Sequence, residues 1–527
     1  MRDLSPWLES APEGLLEAFD HFEHALASGD PATVAHWWVP GSGATYAGPE
    51  GLVIGSDLIT SMATTAHSEP PARDGQEIGT FHLLPIDGQC AVITLTMQDE
   101  TGAWGSETQV WVSRDDTWLV TAIHTSPPGT QALDTRVWRA VGDPLVPGTP
   151  DGPLSGEAMA VSDLLAVAGQ QIGAGSPAWL ANASAEDWDA TVVSALLNAG
   201  ADLRGICRTD ELGWSAFGVN PHYGTAPNPQ APRRVPGGAA SGAASAVALG
   251  HASIGVGLDT GGSLQVPAAY QGLYCLRTTH ASLSRDRVVP LSPTFDAIGW
   301  LARDSAVLAA TGDVLVPPSL RLALDRDHNR VVVVPELLSL AAPDVAEAVG
   351  DYARELGATE ESWDLGELES WVQAFVTVQA AEAWQEHREW LAECIDDLSP
   401  AVRVRFLAGA AVPADAAAEA AATVVRAGET VRKLVADRFV VLPAAPSVAP
   451  RLDADLAAAE AATLRLTCFA SLGGLPALTV PVTGPGLPRA ACLLAAQGRD
   501  RDLLALAVRT QSSIEPGGRQ ITVSDAV

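Results

Sequence analysis

Residues 257–269 read Gly-Leu-Asp-Thr-Gly-Gly-Ser-Leu-Gln-Val-Pro-Ala-Ala, and this stretch decides the fold of the larger part of the chain. The adjacent glycines Gly261 and Gly262 let backbone amides crowd around a small anion, and Ser263 follows them directly. Short glycine runs are more often plain tight turns, so both interpretations stay open for the motif alone. A phosphate-binding loop is excluded, because no Gly-Lys-Ser/Thr follows the glycines.

Further segments flank this stretch in a fixed order. They are residues 174–180 (Ala-Gly-Ser-Pro-Ala-Trp-Leu), 220–225, 234–238, 296–300 (Asp-Ala-Ile-Gly-Trp), 441–446 and 471–476. Together with the central stretch they resemble the amidase-signature family across most of the chain after residue 150. The resemblance implies an α/β domain over residues 153–516, with a mixed central sheet wrapped by helices, and a tail at 517–527. It also implies ancestry among hydrolases of amide or urea-type carbon–nitrogen bonds.

The family's chemistry uses three side chains. A serine attacks the amide carbonyl, a second serine on a cis peptide relays its proton, and a neutral lysine accepts that proton. The resemblance makes Ser263 the nucleophile and the backbone amides of Thr260, Gly261 and Gly262 the oxyanion hole.

The two activating residues are missing from this sequence. The family's relay serine follows a Gly-Gly pair 24 positions before the nucleophile, and Ala239 stands there. Ser162, within Val-Ser-Asp-Leu-Leu at 161–165, stands where the family has its lysine. Lys433 is the only lysine in the chain. Gln265, Thr278 and Ala281 also replace the family's usual arginine, proline and glycine.

A serine without a base is a weak nucleophile, and losing part of a concerted triad costs on the order of 10⁶ in rate. We therefore expect a pseudo-amidase that binds a small amide or urea-like ligand or that accompanies an active amidase. The alternative is an active hydrolase in which Ser263 uses another base, with His222 and His251 as the nearest histidines. The loop backbone should keep its shape, with the amides of residues 260–263 directed into a pocket and a cis Gly238–Ala239 peptide.

The first 128 residues indicate a separate α+β domain. Residues 15–28 place Leu15, Phe19, Phe22 and Leu26 near helical spacing, and residues 108–112 and 118–124 alternate like strands. This order resembles the cone fold of the nuclear-transport-factor-like superfamily. More narrowly, it resembles the small dicarboxyurea-hydrolysing family found beside biuret-type amidases in s-triazine breakdown. The matching pieces are residues 22–26, 37–38, 45–46, 55–59, 108–111 and 124.

That resemblance implies a pocket in the first domain, lined by Phe22, Thr45, Tyr46, Trp111 and His124. The family has a tyrosine at the position of Phe22 and an arginine at that of Thr45, and no Lys or Arg occurs between Arg2 and Arg73. We therefore expect a cavity without basic residues. Since a doubly anionic substrate needs fixed positive charge, we also expect that this domain has not inherited the family's activity.

Composition and charge indicate where a linker lies and which partners, metals and cellular location we expect. Proline and glycine crowd residues 129–152, which favours an irregular linker. The 63 acidic and 31 basic residues give a net charge of −32, which disfavours nucleic acid and anionic membranes as partners. Six scattered cysteines lack metal-ligand spacing, and His21 and His24 lack a third ligand, so neither a metal nor a cofactor is expected. Without a signal peptide or an apolar span, we expect a cytoplasmic protein, as a homodimer.

Overall fold

The computed structural model describes residues 11–28, 31–48, 51–59, 77–98, 104–126, 134–317, 330–482, 484 and 486–514. The contacts divide the chain into two compact units, Met1–Leu133 and Asp134–Val527. The predicted tail at 517–527 lies outside the described residues. No helix in the described ranges is both long enough and apolar enough to cross a membrane. In the same ranges, no cluster of three or more His, Cys, Asp or Glu side chains is arranged to hold a metal ion.

The smaller unit combines helices with a six-stranded sheet in the order β2-β1-β6-β5-β4-β3. Its helices include α1 (Leu15–Ser28) and α2 (Pro31–Ala35), and its strands are β1 (Thr45–Gly48), β2 (Gly51–Ile54), β3 (Glu77–Asp87), β4 (Cys90–Gln98), β5 (Trp104–Arg114) and β6 (Thr117–Ser126). The predicted first helix is confirmed with its bounds. It buries Leu15, Phe19 and Phe22 in a core shared with Trp111 and Trp118 of the sheet.

The larger unit contains an eleven-stranded sheet in the order β14-β13-β15-β17-β16-β11-β12-β10-β8-β9-β7. Its strands are β7 (Trp138–Val146), β8 (Ala158–Ser162), β9 (Asp202–Cys207), β10 (Ile254–Asp259), β11 (Tyr274–Arg277), β12 (Ala297–Ala302), β13 (Val331–Val333), β14 (Thr359–Glu360), β15 (Phe439–Pro443), β16 (Ala477–Val482) and β17 (Arg489–Leu494). The sheet is mixed: β8 runs parallel to β9 and β10, whereas β10 and β12 are antiparallel. The predicted mixed sheet is confirmed.

Twelve helices are described in this unit. They are α3 (Pro177–Asn182), α4 (Thr191–Asn198), α5 (Ser241–Ala248), α6 (Gln265–Gln271), α7 (Ser305–Leu315), α8 (Pro335–Leu338), α9 (Pro343–Glu355), α10 (Leu368–Cys394), α11 (Pro400–Ala410), α12 (Ala414–Val435), α13 (Ala457–Gly473) and α14 (Asp500–Ile514). Two hydrophobic clusters run through the unit, and both draw residues from the sheet and from the helices.

The predicted irregular linker at 129–152 is wrong for part of its length. Within it, β7 pairs antiparallel with β9 and forms one edge of the sheet, although Pro144 interrupts its sequence. An edge strand tolerates proline because one row of its backbone N–H groups has no partner strand to bond. The register between β7 and β9 shifts between Val141 and Val146, around that proline.

The arrangement of three strands positions the candidate site. β8 ends at Ser162 and β10 ends at Asp259, and these parallel neighbours therefore end at the same edge of the sheet. The glycine loop continues directly from β10 into α6. Side chains and loops at the carboxyl ends of parallel strands commonly form ligand sites in α/β folds.

Candidate functional site

Ser263 lies in the loop between β10 and α6, with 9% of its surface exposed. The carboxylate of Asp259, fully buried at the start of the loop, accepts hydrogen bonds from the amides of Gly262 (3.0 Å), Leu264 (2.8 Å) and Gln265 (3.3 Å). A single side chain thus fixes the turn that presents the serine.

These bonds correct one part of the predicted oxyanion hole. The Gly262 amide donates to Asp259 Oδ1, so the prediction that it points into a pocket beside Ser263 is wrong. The participation of Thr260 and Gly261 stays a prediction. Two hydroxyls of α13 donate hydrogen bonds to their carbonyl oxygens: Ser471 Oγ to Thr260 at 2.6 Å and Thr467 Oγ1 to Gly261 at 2.7 Å. Since the C=O and N–H groups of a planar peptide point in opposite directions, these bonds direct the amides of Gly261 and Gly262 away from α13.

Arg277 of β11 is a residue that sequence reasoning missed. It is fully buried, and its Nη1 lies 2.9 Å from Asp259 Oδ1 while its Nη2 donates to the Phe295 carbonyl at 2.7 Å. Gln265, which stands where the family has an arginine, reaches Asp259 only at 3.4 and 3.5 Å through its amide nitrogen. The buried guanidinium that neutralises the loop carboxylate therefore comes from Arg277.

The predicted cis peptide at Gly238–Ala239 is confirmed. The Ala239 carbonyl oxygen accepts from Thr209 Oγ1 (2.7 Å) and from the Asp210 amide (3.2 Å). The following amide, that of Ala240, donates to the Ser263 carbonyl at 3.2 Å. The turn that carries the family's relay serine therefore contacts the nucleophile loop, but its side chain here is a methyl group.

Ser162 completes this group of positions. A Cβ built on Gly257 would lie 3.2 Å from Ala240 Cβ and 3.7 Å from Ser162 Cβ, so the three segments meet at one point. Ser162 is 1% exposed, and its hydroxyl has no hydrogen-bond partner in the part of the chain that the structure describes. The position that holds the lysine in the family therefore carries a buried, unpaired hydroxyl.

The histidines proposed as replacement bases are engaged elsewhere. His222 Nε2 lies 2.7 Å from Glu211 Oε1, and His251 stacks on Trp138 with ring centroids 6.4 Å apart. His251 precedes β10, whereas Ser263 follows it, so the two are separated by the length of that strand. Within the described residues, Ser263 makes no hydrogen bond to either histidine. Lys433 is exposed in the last turn of α12.

Buried carboxyl groups surround this region. Burial raises the pKa of Asp163, which follows Ser162, to about 6, although Arg139 Nε lies 2.6 Å away. Burial also raises the pKa of Asp210 to about 6, against hydrogen bonds that include those from Ser241 and Gly218. The hydrogen bonds described for these two carboxyls do not include Ser263.

The predicted pocket of the smaller unit is divided between two faces of its sheet. Phe22 and Trp111 are fully buried and pack edge to face, with ring centroids 5.5 Å apart. In the parallel pairing of β1 with β6, Tyr46 lies beside Ile123, while Thr45 lies beside Ala122 and Ala47 beside His124. Because successive strand residues alternate, Thr45 and His124 face away from Tyr46. The prediction that all five residues line one pocket is therefore wrong.

The inner face carries carboxylates instead. Gln109 Nε2 donates to Glu23 Oε1 at 3.0 Å and to Glu107 Oε1 at 2.7 Å, and its own oxygen accepts from Trp111 Nε1 at 2.9 Å. Arg114, the one Lys or Arg in the described part of this unit, is exposed. Among the described residues of this unit, none in the interior is a lysine or an arginine.

Comparison with known proteins gives a consistent result for the larger unit. The family model "Amidase" matches residues 139–504. Amidase 1 of Arabidopsis thaliana is 30% identical over 67% of this chain and 92% of its own length. Outer envelope protein 64, chloroplastic, of the same plant is 35% identical over 39% of this chain and 35% of its own length. A solved structure described as a vestigial protein complex that reveals the origins of an s-triazine catabolic enzyme is 27% identical, with a TM-score of 0.62, covering 68% of this chain and 84% of that one.

Proposed function

This chain belongs to the amidase family, and on that premise we propose that its larger unit is a catalytically impaired amidase that binds a small amide or urea-like ligand beside Ser263. The nucleophile and its loop are retained for binding, while the groups that would activate the serine are gone. The ligand's carbonyl oxygen lies towards the amides of Thr260 and Gly261 in this proposal, and its body lies beside Ser263.

One observation carries the proposal. The two positions that should relay and accept the proton of Ser263 hold a methyl group, Ala239, and a hydroxyl that is buried without a partner among the described residues, Ser162. Neither group can accept a proton at neutral pH. Backbone donors alone sustain a rate on the order of 10³ over water, which is too slow for an enzyme with ordinary turnover.

The range of relatives supports a role other than hydrolysis. This chain is similar to a protein named for amidase activity and to one named only for its place in the chloroplast outer envelope. The relatives of this chain therefore include a protein named as an enzyme and a protein that is not named as one, as is common for proteins that share a fold.

For the smaller unit we propose a cone of the nuclear-transport-factor type, related to the dicarboxyurea hydrolases but without their activity. The helix packed on a six-stranded sheet supports the fold, and the carboxylates of its inner face argue against a dianionic substrate. The similarity to a solved structure described as a vestigial protein complex supports a second role, in which this chain accompanies an active amidase. We further propose a cytoplasmic homodimer.

The test is hydrolysis by the full chain of aliphatic, aromatic and urea-type amides, with Ser263→Ala as the matched control. The proposal expects no release of ammonia or amine above that of the control. Turnover above about 1 s⁻¹ that disappears in Ser263→Ala would favour the alternative, an active hydrolase with another base. Ligand binding is followed separately by calorimetry with the same amides.

A further inference from the structure

A cleft of about 440 Å³ lies in the larger unit, away from the nucleophile loop. Its walls come from α3 with the loop that follows it, from residues 287–290 and from α10. The residues that line it include Trp179, Glu186, Arg287, Glu386, His387 and Trp390. Ser263 and its glycines are not among them. We call it the tryptophan cleft, and its volume is in the range of small-molecule sites.

Aromatic rings form one side of the tryptophan cleft. The ring centroids of Trp179 and Trp390 are 5.0 Å apart at an interplanar angle of 56°, and His387 meets Trp179 edge to face at 5.5 Å. His387 Nε2 also donates to the Pro290 carbonyl at 2.7 Å, which fixes the ring. Burial lowers the pKa of His387, so the ring is neutral at pH 7 and adds no positive charge to the wall.

The charged groups of the cleft are predominantly acidic. Its lining contains two carboxylates, Glu186 and Glu386, and one guanidinium, Arg287. The whole chain adds a net charge of −32, which raises the local concentration of cations near its surface. A positive ligand is therefore favoured over a negative one at this position.

From this combination we propose that the tryptophan cleft is a binding site for an organic ammonium ion. The electron-rich faces of tryptophan attract a cation that carries apolar substituents, and the carboxylates in the lining of the same cleft offset its charge. The site is distinct from the one beside Ser263. Phe375, which approaches Gly261, and His387 lie about 18 Å apart along α10 by the rise of a helix.

The experiment is isothermal titration of the full chain with choline and with its neutral isostere, 3,3-dimethylbutan-1-ol. The proposal expects choline to bind at least about tenfold more tightly than the alcohol, since the two differ in charge and hardly in shape. A Trp390→Leu variant and a double Glu186→Gln, Glu386→Gln variant should each weaken choline binding by about tenfold.

Matched controls are available on the same segments. Trp188→Leu removes a tryptophan that is 67% exposed and does not line the cleft. Glu389→Gln neutralises an exposed carboxylate that lies one turn of α10 from Glu386 and does not line the cleft either. Both controls should bind choline as the unchanged protein does. Equal affinity for choline and the alcohol, no measurable choline binding, or affinity unchanged by the Glu186→Gln, Glu386→Gln pair would each overturn the proposal. Ser263→Ala should leave choline binding intact, so failure here and failure of the proposed function are separate results.

Discussion

Replacing Arg277 with methionine should destabilise the larger unit by about 4 kcal/mol. The guanidinium and the Asp259 carboxylate are both fully buried, with 2.9 Å between Nη1 and Oδ1. Removing one partner of a buried pair costs about 3–5 kcal/mol, because the remaining charge has no compensating ion. The amides of Gly262, Leu264 and Gln265 still donate to Asp259, which places the cost below the top of that range. The Phe295 carbonyl also loses its bond from Nη2.

Because a chain of two units does not unfold in one step, the measurement must report on the larger unit alone. Amide hydrogen exchange in increasing denaturant, read from peptides of β10 and β12, gives that free energy of unfolding. The control is Asp259→Asn combined with Arg277→Met, which removes both charges. It should lose at least about 1 kcal/mol less than Arg277→Met alone. A loss below about 1 kcal/mol for the single variant would show that Arg277 does not hold the loop.

Three further outcomes follow from the site. Gly262→Ala should lower the free energy of unfolding by about 1–3 kcal/mol more than Gly169→Ala in the same exchange measurement. Both glycines have positive φ, but only a Cβ at position 262 would contact Thr467, at 2.7 Å. Equal losses of stability would contradict the packing described around the loop. Ser162→Ala should raise the free energy of unfolding by about 1 kcal/mol, since it removes a buried hydroxyl that has no partner among the described residues, and a loss of stability would show that the hydroxyl is bonded. The raised pKa of Asp210 means that the folded protein holds this proton more tightly than the unfolded chain, so the stability that the proton contributes is complete below pH 4 and is lost as the pH rises through about 6. Asp210→Asn should therefore remove about 3 kcal/mol of the decrease in the free energy of unfolding between pH 4 and pH 7. An unchanged dependence of that free energy on pH would contradict this prediction.

The sequence predicted those parts of the fold that local pattern and family motifs specify. The helix Leu15–Ser28 follows from apolar spacing, and it has the predicted bounds. The cis peptide at Gly238–Ala239 was predicted because the glycines beside it are unchanged. Backbone shape that depends on glycine can be predicted where the motif is intact.

Features that depend on distant partners were missed. Arg277 meets Asp259 because β11 and β10 both pair with β12, and no local signal joins residues eighteen positions apart. The strand β7 was hidden by prolines and glycines that an edge position tolerates. In the smaller unit, the pairing of Tyr46 with Ile123 turns Thr45 to the opposite face, and a register of this kind cannot be predicted from short motifs.

The most direct test of the impaired-amidase account is intact-mass analysis after exposure to a fluorophosphonate, which reacts only with activated serines. The account predicts no adduct on the unchanged protein, and an adduct on Ser263 once Ser162→Lys and Ala239→Ser restore the missing relay. An adduct on the unchanged protein that is absent from Ser263→Ala would contradict it, because Ser263 would then have a working base.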